Sequence, residues 1–213
     1  MLLYVNGDSH SAGHDAGGIE FSYGKHIATA LNAELVCHAL AAGSNDRIVR
    51  TTLKYLETNT PDVVIIGWST PEREEWVVDG QVLNISAGID PLMLPVAIRE
   101  RYKEWVIENA DRDVQRAKEI KWHQDAWALH NILKTRAIPH LFFNCYSYFH
   151  YIKHWDLPRY NWGDAYVEPY DQDYAYYFWL QARGFKPSNP EYFHYGPDAH
   201  VAWAEFLLQR IKI

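Results

Sequence analysis

Side chains able to do chemistry gather in four short polar stretches of this sequence. The first is Gly7-Asp8-Ser9-His10-Ser11-Ala12-Gly13 and the last runs from Glu191 through His194 and Asp198 to His200. Between them lie Ala42-Gly43-Ser44-Asn45-Asp46 and Gly67-Trp68-Ser69-Thr70. A serine hydroxyl is a weak nucleophile until a neighbouring base takes its proton. Histidine is the side chain suited to that task near neutral pH, and a carboxylate beside it fixes the tautomer. Backbone N–H groups, amides and hydroxyls can hold the negative charge that builds on an attacked carbonyl. These residue types together are those of acyl transfer through a serine. Each stretch also has a plain structural reading: an Asx turn or cap at Asp8-Ser9, a helix cap at Gly43–Asp46, and a surface loop carrying His194 and His200. His10 and His14, with Asp8 and Asp15, offer metal donors at helical spacing, but the glycines among them indicate a loop and no metal is expected. Glu72, Arg73, Glu74 and Glu75 read as a solvated charged turn or as the lining of a cleft.

Regular elements must bring these stretches together. Leu2 to Val5 is a short apolar run and Glu34 to His38 reads as a second strand. Asp62 to Gly67 is the clearest strand, its continuous apolar run being the mark of a parallel strand buried on both faces. Pro139 to Cys145 is a further strand. Helical periodicity covers about 23–31, 46–56, 98–133 (one or two helices) and 197–211. Asp79-Gly80 marks a hairpin turn within an irregular stretch at about 77–95. Residues 146–176 are rich in Tyr, Trp, Asp and Pro without a steady period and read as a second insertion. Strands alternating with helices give an α/β fold with a parallel sheet between helical layers. Ligand sites in such folds lie beyond the carboxyl ends of the strands, and three of the polar stretches directly follow a predicted strand.

The chain has 213 residues, 48% of them hydrophobic, enough for one domain with a substantial core. A net charge of -7 argues against nucleic acid as a partner, since phosphate binding relies on clustered Lys and Arg. No apolar run approaches the roughly 20 residues of a membrane span, and the first residues do not read as a signal peptide. A cytoplasmic protein with no membrane partner is expected. Cys37 and Cys145 lie in apolar runs and read as buried free thiols. The 9 Trp, 15 Tyr and 8 Phe serve either an aromatic core or a groove that stacks on sugar rings.

Gly-Asp-Ser-x-Ser-x-Gly after the first strand resembles the first block of the SGNH/GDSL hydrolases. The resemblance spans nearly the whole chain as four blocks in order. It implies a three-layer α/β/α flavodoxin-like fold with a central parallel sheet, no cofactor and no metal. It implies that Ser9 is the nucleophile, His194 the general base and Glu191 the acid that orients it, with Glu in place of the usual Asp. A competing register pairs Asp198 with His200. The implied oxyanion donors are the N–H groups of Ser9 and Gly43. The family's third block is Gly-x-Asn-Asp, and here Ser69 stands where its Asn should be. Ser69 or Asn45 is therefore expected to supply the side-chain donor. The implied activity is hydrolysis of an ester, acetyl or another short acyl group on a small molecule or carbohydrate. Acyl transfer to another acceptor, and a glycan-binding or structural module with weak catalysis, are the alternatives. Oligomeric state is not legible.

Overall fold

A computed structural model describes residues 1–189 and 193–212. The chain runs β1 (Leu2–Gly7), α1 (Tyr23–Ala30), β2 (Glu34–Cys37), α2 (Asn45–Leu56) and β3 (Val63–Trp68). It continues through a hairpin, β4 (Glu74–Val78) and β5 (Gln81–Ile85), to α3 (Arg99–Asn109) and α4 (Arg112–Thr135). Then follow β6 (His140–Asn144), α5 (His150–His154), α6 (Tyr176–Ala182), β7 (Pro187–Asn189), β8 (His194–Tyr195) and α7 (Pro197–Leu208).

Four strands form a parallel sheet in the order β2-β1-β3-β6. All six residues of β3 are buried, which accounts for its unbroken apolar sequence. Alternate side chains enter opposite layers, as the two-residue period of a strand requires. Leu3, Val5, Ile65, Leu141 and Phe143 meet Tyr23 and Ile27 of α1 and Trp203 and Leu207 of α7. Tyr4, Val64, Ile66 and Phe142 meet Ile48 and Leu56 of α2 and Trp122, Ala126 and Leu129 of α4 on the other face. Each fully buried side chain of this size contributes about 1.5–3 kcal/mol relative to exposure. The expected α/β fold, a central parallel sheet between helices, is therefore the fold observed.

The two irregular stretches differ in kind. The β4–β5 hairpin turns at Asp79 and Gly80, both with positive φ (49° and 76°), the conformation a two-residue hairpin turn demands. It builds a separate apolar cluster in which Trp76 and Ile85 pack with Tyr102 and Trp105 of α3. The 146–176 stretch contains the short α5 and covers the sheet edge, where Tyr166 bridges to Phe142. Cys37 and Cys145 are both free thiols; Cys145 is buried and Cys37 only partly so.

Candidate active site

The chain leaves β1 for β2 on one side, then returns to β3 on the other. This order reverses direction between β1 and β3, and the crevice beyond their ends is where open α/β sheets hold ligands. Ser9 follows β1, and Ser69 and Arg73 follow β3. The approach of these two loops is close: a Cβ on Gly7 would lie 2.1 Å from Ser11 Oγ and 2.7 Å from the Gly67 carbonyl oxygen. Only a residue without a side chain fits there.

Residues 8–14 coil into a compact turn, with Ala12 N–H donating to the Asp8 carbonyl and His14 N–H to that of Ser9. The Asp8 side chain, almost fully buried, receives the His10 N–H on Oδ1 (3.0 Å). This is the Asx turn that the sequence offered as the structural alternative, and it coexists with an available serine. Ser9 Oγ stands 2.8 Å from His194 Nε2. His194 lies 185 positions later, delivered by β8, which pairs with β7. His194 Nδ1 in turn lies 2.8 Å from Asp15 Oδ2. A carboxylate on Nδ1 holds the proton there and leaves Nε2 as an acceptor for the serine proton.

Asp15 was legible in the sequence only as a metal donor. Glu191, the expected orienting acid, lies outside the described residues. Asp15 reaches His194 because its backbone is left-handed (φ 60°), inside a loop that also turns at Gly13 (φ 68°). Aspartate tolerates this region better than most side chains. The cluster of glycines at 13, 17 and 18 was the available signal that residues 14–16 turn back rather than run on as a helix.

The Asp198/His200 register is not the one that meets Ser9. His200 is fully buried; its Nδ1 accepts the Tyr23 N–H at the start of α1 and its Nε2 lies 3.3 Å from the Tyr176 hydroxyl. Burial lowers its pKa to about 3, so it stays neutral and joins α7 to α1. His10 is also buried, its ring 5.1 Å from that of His194 at a steep angle, and burial lowers its pKa to about 4. It forms a neutral wall against the His194 ring.

The expected oxyanion donors are arranged differently from the expectation. Gly43 N–H donates to the Leu40 carbonyl (2.9 Å), closing its own turn, so that donor is already spent on the loop. Asn45 clamps the backbone of Ser69 from both sides: Nδ2 donates to the Ser69 carbonyl (3.1 Å) and Oδ1 accepts the Ser69 N–H (2.8 Å). It fixes the loop after β3 instead of presenting its amide to Ser9. The Ser69 hydroxyl donates to Asp8 Oδ2 (3.2 Å) and accepts from Arg73 Nη1 (2.9 Å). Arg73 Nη1 also contacts Asp8 Oδ2 (3.1 Å). Sequence reading left Arg73 between a solvated turn and a cleft wall. The structure gives it a buried ion pair one residue from Ser9, because a carboxylate as deep as Asp8 needs a cation beside it. The N–H of Ser9 has no acceptor among the described residues.

The fold aligns with those of solved hydrolases. A psychrotrophic esterase, EstA, from Pseudoalteromonas sp. aligns over 98% of this chain and 95% of its own, with a TM-score of 0.53 and 12% identity. An acetyl xylan esterase, AlAXEase, covers 98% of each chain with a TM-score of 0.53 and 11% identity. TesA covers 100% and 98%, at 0.52 and 14%. These likenesses define the class: an α/β fold shared with esterases. A search of curated proteins finds no match. The model of DUF6071, a family of unknown function, matches residues 5–150, and the chain belongs to that family.

Proposed function

We propose that this protein is a serine esterase of the SGNH/GDSL type, with Ser9 as nucleophile, His194 as general base and Asp15 as the acid that orients the imidazole. The observation that carries this reading is the continuous relay Ser9 Oγ–His194 Nε2 and His194 Nδ1–Asp15 Oδ2, at 2.8 Å in each step. The three residues come from two regions of the chain that nothing but the fold brings together. His194 takes the proton of Ser9 as the hydroxyl attacks the acyl carbon. His194 then gives that proton to the leaving alcohol, and water repeats the sequence to release the acid.

Negative charge on the carbonyl oxygen is met by the Ser9 N–H and by the field of Arg73, which bonds to Ser69, the residue that stands where the family's third block has its Asn. The Nη1 group already bonds to Asp8 and Ser69, so Arg73 acts through charge and through holding the loop. The substrate we assign is a short acyl ester, acetyl foremost, on a carbohydrate or other small alcohol. Support comes from the similarity in fold to an acetyl xylan esterase.

The test is hydrolysis of p-nitrophenyl acetate, butyrate and octanoate by wild type, Ser9→Ala and Arg73→Gln. The reading requires turnover that falls by about 10⁴ or more in Ser9→Ala, with acetate preferred over octanoate. Arg73→Gln should lower kcat with little change in KM. Equal rates in wild type and Ser9→Ala would overturn the serine mechanism. Product formation only when a sugar acceptor is added would replace hydrolysis by acyl transfer.

A further inference from the structure

Beside the relay stands a further nitrogen donor that the acyl-transfer chemistry does not use. His14 precedes Asp15, its side chain is about half exposed (52%), and its ring centre is 5.0 Å from that of His194. Its Nε2 lies 3.9 Å from Asp15 Oδ1, the carboxylate oxygen turned away from His194. One ligand atom each from His14, Asp15 and His194 fall within 4.8 Å of one another. In regular secondary structure, consecutive side chains diverge. Here the left-handed backbone of Asp15 folds the pair so that both face the same imidazole.

We propose that His14, Asp15 and His194 form an inhibitory site for a late divalent transition metal, zinc being the type ion. Two imidazole nitrogens and a carboxylate oxygen, with water in the fourth place, make a familiar tetrahedral zinc set, with bonds of about 2.0–2.2 Å. Ligand atoms in that geometry sit roughly 3.3–3.5 Å apart. His194 Nδ1 and Asp15 Oδ2 are already nearer than this, and the exposed His14 ring can close the remaining distance by rotation. Three donors with one exposed member fit a reversible regulatory site better than a permanent one. The donor set is hard to reconcile with calcium or magnesium, which prefer all-oxygen shells.

The consequence for the relay follows from the two nitrogens of one ring. The metal needs the Nδ1 lone pair, so the proton on Nδ1 leaves. A neutral imidazole must then carry its proton on Nε2. Nε2–H donates to Ser9 Oγ and has no lone pair to accept the serine proton. Asp15 is drawn onto the metal at the same time. Metal binding and general-base catalysis are therefore mutually exclusive at His194.

This inference rests on the proposed relay for its effect on activity, but the binding itself does not. The experiment therefore has two readouts. Cobalt(II) is titrated into metal-free wild type, Ser9→Ala and His14→Ala, and the visible bands of tetrahedral cobalt are followed. Wild type and Ser9→Ala should bind alike, since Ser9 is not a ligand. His14→Ala should lose the bands or weaken binding by at least about tenfold. With p-nitrophenyl acetate, zinc should inhibit wild type reversibly, EDTA should restore the rate, and His14→Ala should keep its basal rate while resisting zinc by a similar factor. Absence of tetrahedral cobalt bands at millimolar metal, or bands unaffected by His14→Ala, would overturn the site. Cobalt binding that depends on His14 in a protein with no esterase activity would keep the site and instead discard the proposed function.

Discussion

Among the described residues, Asp15 is an acid set against the histidine. Its carboxylate stands 2.8 Å from His194 Nδ1, while Glu191, three residues before the histidine, lies outside the described residues. The two acids are separable by isosteric amides. Asp15→Asn keeps size and loses the charge that favours the Nδ1–H tautomer, so kcat for p-nitrophenyl acetate should fall by up to about 10⁴. Glu191→Gln should change it by less than about tenfold. The reverse ranking would return the orienting role to Glu191. Circular dichroism of both variants checks that the loss is chemical, because neither substitution changes shape. At the same scale, the loop after β3 is held by charge: Ser69 passes its hydrogen to Asp8 and receives one from Arg73, so an arginine takes up the polar end of the loop.

Helix α4 carries a buried acid, Glu119. Glu119 is 3% exposed, and its Oε1 accepts the N–H of Ile152 in α5 (3.0 Å). Burial raises its pKa from 4.5 to about 7, against the lowering effect of the backbone N–H groups of Ile152, Tyr151 and His150. The native state thus keeps a proton that the unfolded chain gives up above pH 4.5. Stability linked to Glu119 is full below about pH 4.5 and is lost as pH rises towards 7, by at most about 3 kcal/mol. Glu119→Gln retains the acceptor oxygen without the titration. Urea unfolding at pH 5 and pH 8 should show the variant gaining on wild type at the higher pH. An equal difference at both would exclude a buried proton. Through this bond Glu119 ties α5, which opens the 146–176 stretch, to the long helix.

The whole molecule is built around several buried, neutral imidazoles. Burial lowers the pKa of His10, His123 and His130 to about 4 and of His200 to about 3. His130 Nδ1 lies 2.8 Å from His140 Nε2, and His140 Nδ1 donates to the Ile138 carbonyl, a chain that is lost once both rings are protonated, because two N–H groups would then face each other. A histidine with a depressed folded pKa contributes stability above its unfolded value of 6.5 and loses it as pH falls towards 4. Each such group contributes up to about 3–5 kcal/mol, and whole domains are stable by only about 5–15 kcal/mol. The melting temperature should therefore drop steeply between pH 6.5 and 4, and His200→Gln should blunt the drop. A flat profile across that window would show that the rings titrate normally. Among the described residues, no helix is long and apolar enough to cross a membrane.

What the sequence determined by itself was the periodic and local part. The six buried residues of β3 announced a central parallel strand, the stretch Gly43–Asp46 announced the cap of α2, and Asp79-Gly80 announced a hairpin turn. Gly-Asp-Ser after β1 and a histidine before the last helix marked the two ends that the fold joins at 2.8 Å. These signals survive because hydrophobic period, capping and turn chemistry act over a few residues. Only the tertiary structure showed that Asp15 meets His194, that His200 belongs to the packing of α1, and that Gly43 and Asn45 bond within their own loops. The reason is physical: a hydrogen bond depends on where a single atom points. For Asp15 that direction is set by a left-handed backbone inside a glycine-bracketed loop and by a strand almost 180 residues away.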